Sequence, residues 1–470
     1  ALGLTPIYPP PFAGFNSPVA AFAAYEDVSL LDNSTPYAGP STPQSLAGIW
    51  TSDWVTAQLA EHGVAERLED LGFVVMPSQY KLFHWVYDSA SYQGHPVFVT
   101  TDAAYNMWHL VFDKILRDME TNVLLPELES LVLGMLTAAR AQTADLAATS
   151  LADHALRVEE WLEGAATLLE LDVGPIGPRA QEEVGLVLAH AAVTESPTMA
   201  INQCAPGGPT CVGYALFKPR GHYTRTEELQ RFFRTMSMFG QTPFPTGNVE
   251  EMKLAGLLIG LLMNDADLEE AWQTIYDPTA FLVGLADDYT PYEFHDVVNA
   301  EVPSGFADPM VFADDATAIS ISDGLHAIRS IVIDQERSSV RFMGSRATLD
   351  AFILDQLVAP FVTARHDPSA MDVAAVFGSD YALAIQRAAG ADDYAEYVPQ
   401  VTRLRRSVAA RTSAQWAATV YDAWLYAIKA MWIEHGGAYP DFMRSDAWAA
   451  KAHQTGLGSY AELKHDTILY

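Results

Sequence analysis

Apolar residues recur at intervals of three and four through most of this chain, and no other sequence feature restricts its fold as strongly. The spacing runs through Trp54–Leu71, Leu124–Ala139, Leu156–Leu171, Ala180–Val193, Leu229–Phe239, Leu254–Met263, Leu349–Val362 and Trp416–Trp432. A helix with 3.6 residues per turn turns such a pattern into one continuous buried stripe. Short β-like runs interrupt it, such as Pro96–Thr101 and Ala318–Gly324, and no repeat of 20–50 residues is present. The expected class is mainly α: a large compact multi-helix body with a few short β-strands and long ordered loops. Residues 1–46 are rich in Pro, Ser, Ala and Tyr, and read as an extended arm on a single helical domain covering 47–470.

Half of the 470 residues are hydrophobic, enough for a sizeable core. Charge then narrows the partners. Fifty-nine acidic residues against 27 basic ones give a net charge of −32, which repels nucleic acid and anionic lipid. The most apolar window, Leu254–Met263, is too short to cross a bilayer and is flanked by charges, so no membrane span is expected. The two cysteines, Cys204 and Cys211, bracket a Gly/Pro-rich turn. A disulfide there, together with an amino end resembling a mature terminus, points to a secreted, periplasmic or cell-surface protein; free thiols in a reducing compartment are the alternative.

The segment "KPRGHYTRTEELQRFFRTMSMFG" (Lys218–Gly240) carries the densest chemistry. Thr224 and Glu227 read as a capping box, and Gly240 as the helix stop. Arg220, His222, Tyr223, Arg231 and Arg234 are left over for an anion or substrate site near a helix amino end, or for plain ion pairing. In "TTDAAYNMWHLVFDKILRDME" (Thr100–Glu120), helical spacing places Asp102, Asn106, His109, Asp113, Arg117 and Glu120 on one stripe of an otherwise apolar helix. That stripe is a solvated edge, a satisfied internal network, or a cavity wall with His109 and Asp113 as acid–base groups or sharers of one metal.

Thr290, Pro291 and Glu293 spell a helix start in "LADDYTPYEF", preceded by Asp287 and Asp288, the candidate metal ligands. "RFMGSRATLDAF" adds Arg341 and Arg346 as anion holders before a Thr-capped helix. Ser459 and Glu462 read as a further capping box, with His465 and Asp466 late in the short helix it would start. No HExxH, GxSxG, P-loop, GxGxxG or EF-hand pattern is present, so no organic cofactor is implied, while a divalent metal stays open.

These blocks, with "MDVAAVFGS" and "YPDFMRSDAWAAKAHQTGLGSYAELKHDTILY", keep their order from about Gly72 to Tyr470 and resemble an uncharacterised bacterial and archaeal family, domain-of-unknown-function family 3160. The resemblance supplies no reaction. It implies a second histidine where this chain has Asn106, which weakens a metal at His109. It also implies a further carboxy-terminal portion, so a fragment or partner chain following Tyr470 is expected. Two functions remain open from sequence. One is a hydrolase-like enzyme in which His109, Asp113, His222, Tyr223, His465 and Asp466 do acid–base work while Arg220, Arg231, Arg234, Arg341 and Arg346 bind substrate. The other is a non-catalytic cell-surface binding or assembly protein, or a subunit of a larger complex.

Overall fold

The computed structural model describes residues 57, 60–71, 73–75, 80–92, 99–199, 211–333, 338–435, 439 and 441–470. The expected arm at 1–46 and Cys204 lie outside the described residues; Cys211 stands on a short strand. The helices in chain order begin with α1 (Ala65–Leu71), α2 (His84–Tyr92) and α3 (Thr101–Met119), which ends in a π turn at Glu120–Leu124. Then come α4 (Leu125–Leu146), α5 (Ala152–Leu168), α6 (Pro178–Ala189), α7 (Glu227–Gln241), α8 (Val249–Met263), α9 (Ala266–Leu282), α10 (Pro291–Glu301) and α11 (Asp315–Ile328). The rest are α12 (Leu349–Asp355), α13 (Ala370–Val376), α14 (Asp380–Ala388), α15 (Tyr397–Ala409), α16 (Ser413–Trp416), α17 (Val420–Lys429) and α18 (Asp446–Asp466). The protein is mainly α.

The chain divides into two compact units. Among the described residues, unit 1 holds Phe112–Phe352 and His465–Tyr470, and unit 2 holds the residues up to Val111 with Ile353–Lys464. In unit 1, α4 packs on α5 and α9, α5 on α6 and α8, and α10 on α11. At the centre is α8, capped by Asn248, whose side chain accepts from the N–H groups of Glu250 and Glu251. Every residue from Glu251 to Leu262 is buried, at about 2 kcal/mol per large aliphatic side chain removed from water. Gly256 is required there, because a Cβ would lie on the ring of Phe312. In unit 2, α13 packs on α14 and α15, and α16 on α17.

Two antiparallel pairs supply the β structure. β1 (Val193–Glu195) pairs with β2 (Cys211–Gly213), Thr194 opposite Val212. β3 (Phe244–Pro245) pairs with β4 (Ser339–Val340), Phe244 opposite Val340. Single bridges Ala286–Arg346 and Tyr289–Val340 extend the second pair and lay the Asp287–Asp288 segment against the Arg341–Arg346 segment.

Several expectations need correction. Ala318–Gly324 is helical, not β-like: Asp314 caps α11, and Ala318, Ile321, Ser322 and Leu325 form its buried stripe at helical spacing. α7 is capped by Thr226, whose hydroxyl accepts the Leu229 N–H. Thr224 is instead consumed in a 3-10 turn (Gly221–Thr224), where its hydroxyl donates to the Gly221 carbonyl. Gly240 lies inside α7, facing the Met343 carbonyl where a Cβ would clash. Ser459 sits within the long α18 and accepts from the Trp424 indole N–H at 2.8 Å, so it starts no helix. The Thr290–Glu293 capping box forms as expected, with Pro291 at the first position.

One helical stretch, Thr101–Leu146, is long and apolar enough by length and composition to cross a membrane, with 44% of its apolar window buried inside the protein. The expectation of no span considered charge-free runs alone and passed over this stretch. A core helix of a water-exposed protein has the same composition, so the stretch is weak ground for a span.

Candidate functional site

Two polar centres of unit 1 gather residues that the sequence singled out. The first is sealed. Glu120, fully buried in the π turn after α3, accepts from His222 Nε2–H at 2.6 Å, from the Tyr223 hydroxyl at 2.6 Å and from the Tyr470 hydroxyl at 2.7 Å. A carboxylate can only accept, so it suits three converging donors. His222 Nδ1 lies 3.7 Å from the buried carboxylate of Asp113, which also takes Arg117 Nε at 3.0 Å and Arg225 Nη2 at 3.3 Å. The His222 and Tyr223 rings are 4.0 Å apart, and Tyr223 rests on Phe233. Burial, then the Glu120 charge, push the hydroxyls of Tyr223 and Tyr470 well above their ordinary range, so both stay protonated donors. Gly221, in the left-handed region at φ 61°, brings the 3-10 turn against His465, whose ring would lie within 3.4 Å of an added Cβ.

The second centre is a cavity of about 270 Å³, partly open to solvent. The charged groups in its wall are Asp287, Asp288, Arg341 and Arg346, and Gln241, Ser339 and Ser345 complete the polar lining. A backbone ladder builds it: Asp287 N–H donates to the Ser345 carbonyl, Tyr289 N–H to Ser339 and Arg341 N–H to Tyr289. Both Asp287 oxygens accept backbone N–H groups, from Val332 at 2.8 Å and Ile333 at 2.9 Å. Burial raises its pKa all the same, with the neighbouring Asp288 charge adding to the rise. Asp288 accepts the Ser339 hydroxyl at 2.6 Å and faces Arg341 Nε at 3.1 Å.

Arg346 differs from its neighbours. It is 5% exposed and lies 4.2 Å over the Tyr276 ring, and its Nη2 donates to Thr279 Oγ1 at 2.5 Å. Nε and Nη1 have no hydrogen-bond partner, and among the described residues no carboxylate lies within ion-pair distance. Burial lowers its pKa, countered by Tyr276, Tyr470 and Asp277, yet a guanidinium stays charged in any protein. Buried guanidinium nitrogens left without an acceptor cost free energy that a bound anion can recover.

The sequence-derived candidates therefore separate. Asp113, His222, Tyr223, His465 and Asp466 gather in unit 1 around the sealed centre; His222 and Asp466 are buried and His465 is exposed. His109 is half-buried in unit 2. Arg341, Arg346, Asp287 and Asp288 meet at the cavity. Arg220, Arg231 and Arg234 line neither centre. Among the described residues no three His, Cys, Asp or Glu side chains converge to hold a metal, and both oxygens of Asp287 and of Asp288 already face protein donors.

Along α3 and the π turn the polar stripe turns inward beside the buried Phe112 and Leu116, and part of the apolar girth faces outward. Asp113 and Glu120 are buried, while Met107, Leu110 and Ile115 are 63%, 51% and 46% exposed.

Sequence reading missed four residues that the structure brings into polar networks: Arg329, Tyr470, Ser379 and His453. Arg329 donates to Glu293 at 2.6 Å and to the carbonyls of Asp287 and Asp288, fixing the backbone behind the cavity. Tyr470 closes the Glu120 centre. In unit 2, the buried Ser379 hydroxyl meets His453 Nε2 at 2.5 Å, and His453 Nδ1–H donates to the Ala449 carbonyl at 2.8 Å. Ser379 also caps α14, and that local pattern was its only signal in the sequence.

No curated protein and no solved structure matches this chain. Residues 61–470 match the family described as protein of unknown function (DUF3160). With a match over most of its length, and with both polar centres built from residues inside it, the chain belongs to the DUF3160 family.

Proposed function

We propose that the cavity of unit 1 binds a small anionic compound and that the protein is a hydrolase-like enzyme acting on it. Arg346 carries this reading: it is one of two arginines in the cavity wall, with Arg341, and its guanidinium keeps Nε and Nη1 without a hydrogen-bond partner. The two arginines hold the anionic group. Asp287, its pKa raised by burial, retains a proton more readily than an ordinary aspartate and moves it to or from the bound compound. Export belongs to the same reading and is motivated by the sequence alone, in which Cys204 and Cys211 flank a turn-rich stretch that a disulfide would close.

A binding protein without chemistry is the second reading. It is favoured by the sealing of His222, Tyr223 and Glu120 within their own network.

The test is a thermal-shift and calorimetric screen of small carboxylates and phosphate esters against wild type and Arg346→Met. An anion at 100 times its Kd should stabilise wild type by about 2.7 kcal/mol and leave Arg346→Met unmoved. Equal stabilisation of both proteins, or of neither, would sink the pocket assignment. Hydrolysis of a chromogenic ester or phosphate, lost in Asp287→Asn while anion binding persists, separates enzyme from binder.

A further inference from the structure

The basic residues of Lys218–Gly240 that the cavity leaves unused gather elsewhere on unit 1. α6 and α7 both pack on the 3-10 turn Tyr214–Phe217, which leads directly into Lys218. α7 carries Arg231 and Arg234 three residues apart, hence on one face. Arg231 Nη1 donates to the Leu169 carbonyl at 2.9 Å, 3.5 Å from the Glu170 carboxylate. Arg234 Nη2 donates to Gln230 Oε1 at 3.1 Å. Arg231 Nε, Arg234 Nε and His190 Nδ1 are buried atoms without a hydrogen-bond partner.

The backbone here is unusual as well. Among the described residues, three that are not glycine adopt positive φ, and two of them are Glu170 (62°) and His190 (53°). Each follows the carboxyl end of a helix, where glycine would take the same conformation without strain. Their side chains are what the strained positions gain. The charges are one-sided: Lys218, Arg231 and Arg234 against Glu170 leave a local balance of 3 − 1 = +2, in a chain of net −32.

We propose that Lys218, Arg231, Arg234 and His190 form a second anion site, distinct from the cavity, which takes a phosphate dianion, free or as a monoester. The dianion balances the +2 excess, and the guanidinium groups of Arg231 and Arg234 with the exposed Lys218 ammonium are donors of the kind a phosphate accepts. The His190 imidazole reports occupancy. Burial, then Arg234 and Lys218, hold its pKa below the usual histidine value, and the Val187 carbonyl opposes them. A phosphate offsetting those cations raises it again.

Isothermal titration of the full chain with inorganic phosphate at low ionic strength tests this, with NMR titration of the His190 ring alongside. Wild type should bind phosphate saturably and His190 should titrate higher with phosphate present. Arg234→Gln and the exposed Lys218→Ala, each checked for wild-type melting, should each weaken binding about tenfold. Arg346→Met should leave the His190 response intact, which separates this site from the cavity. No saturable binding, unchanged affinity in both folded variants, or loss of the His190 response in Arg346→Met alone would overturn the site. Phenyl phosphate in place of inorganic phosphate then decides between a monoester and the free ion.

Discussion

Removing the Glu120 carboxylate should be among the most damaging single changes in unit 1. Three donors converge on it at 2.6–2.7 Å. In Glu120→Ala, the buried His222 and Tyr223 and the part-buried Tyr470 lose this acceptor, at about 1–3 kcal/mol each. A loss of about 5 kcal/mol follows, which lowers Tm by roughly 10–20 °C for a unit of this size. Glu120→Gln should be milder. Its carbonyl can face the two tyrosines and its NH₂ group His222 Nε2, provided the imidazole moves its proton to Nδ1, toward Asp113 at 3.7 Å. All three charge-assisted bonds then become neutral ones, a cost of about 2 kcal/mol. Urea unfolding followed by tryptophan fluorescence measures both variants, and histidine NMR reads the tautomer. A loss below 1 kcal/mol in Glu120→Ala, or identical losses in the two variants, would refute the account of a carboxylate serving three donors.

Two further outcomes follow from individual residues. Burial raises the Asp277 pKa to about 6 from 3.8. The folded protein therefore holds a proton that the unfolded chain has released, and stability falls as pH rises from about 4 to 6. Because the group is half-buried, the loss is discounted to roughly 1 kcal/mol. Asp277→Asn should recover that amount at pH 8 and nothing at pH 4, which melting curves at the two values check. Ser379→Ala removes the cap of α14 and leaves His453 Nε2 without its donor, costing about 2–3 kcal/mol. Ser379→Thr should restore most of it in the same unfolding assay.

The helical class was legible because it rests on local periodicity, and the start of α10 because Thr290, Pro291 and Glu293 lie within four residues of one another. Boundaries failed where neighbours intervened. The turn at Gly221–Thr224 takes Thr224 before α7 can use it as a cap, and Trp424 claims the hydroxyl of Ser459. Of the candidate site, the residue types were readable but their grouping was not. Arg346 looked like Arg341 in the sequence, yet Arg341 has the Asp288 carboxylate at 3.1 Å, while among the described residues none lies within ion-pair distance of Arg346.

By itself the sequence determined a strongly acidic, helix-built chain, because charge and apolar spacing need no knowledge of distant neighbours. Only the tertiary structure decided which polar groups are sealed and which are left wanting a partner. Glu120 meets His222, Tyr223 and Tyr470 across 102, 103 and 350 residues of chain. Contacts at such separations are set by how helices pack, and the worth of a buried charge depends wholly on what packing brings beside it.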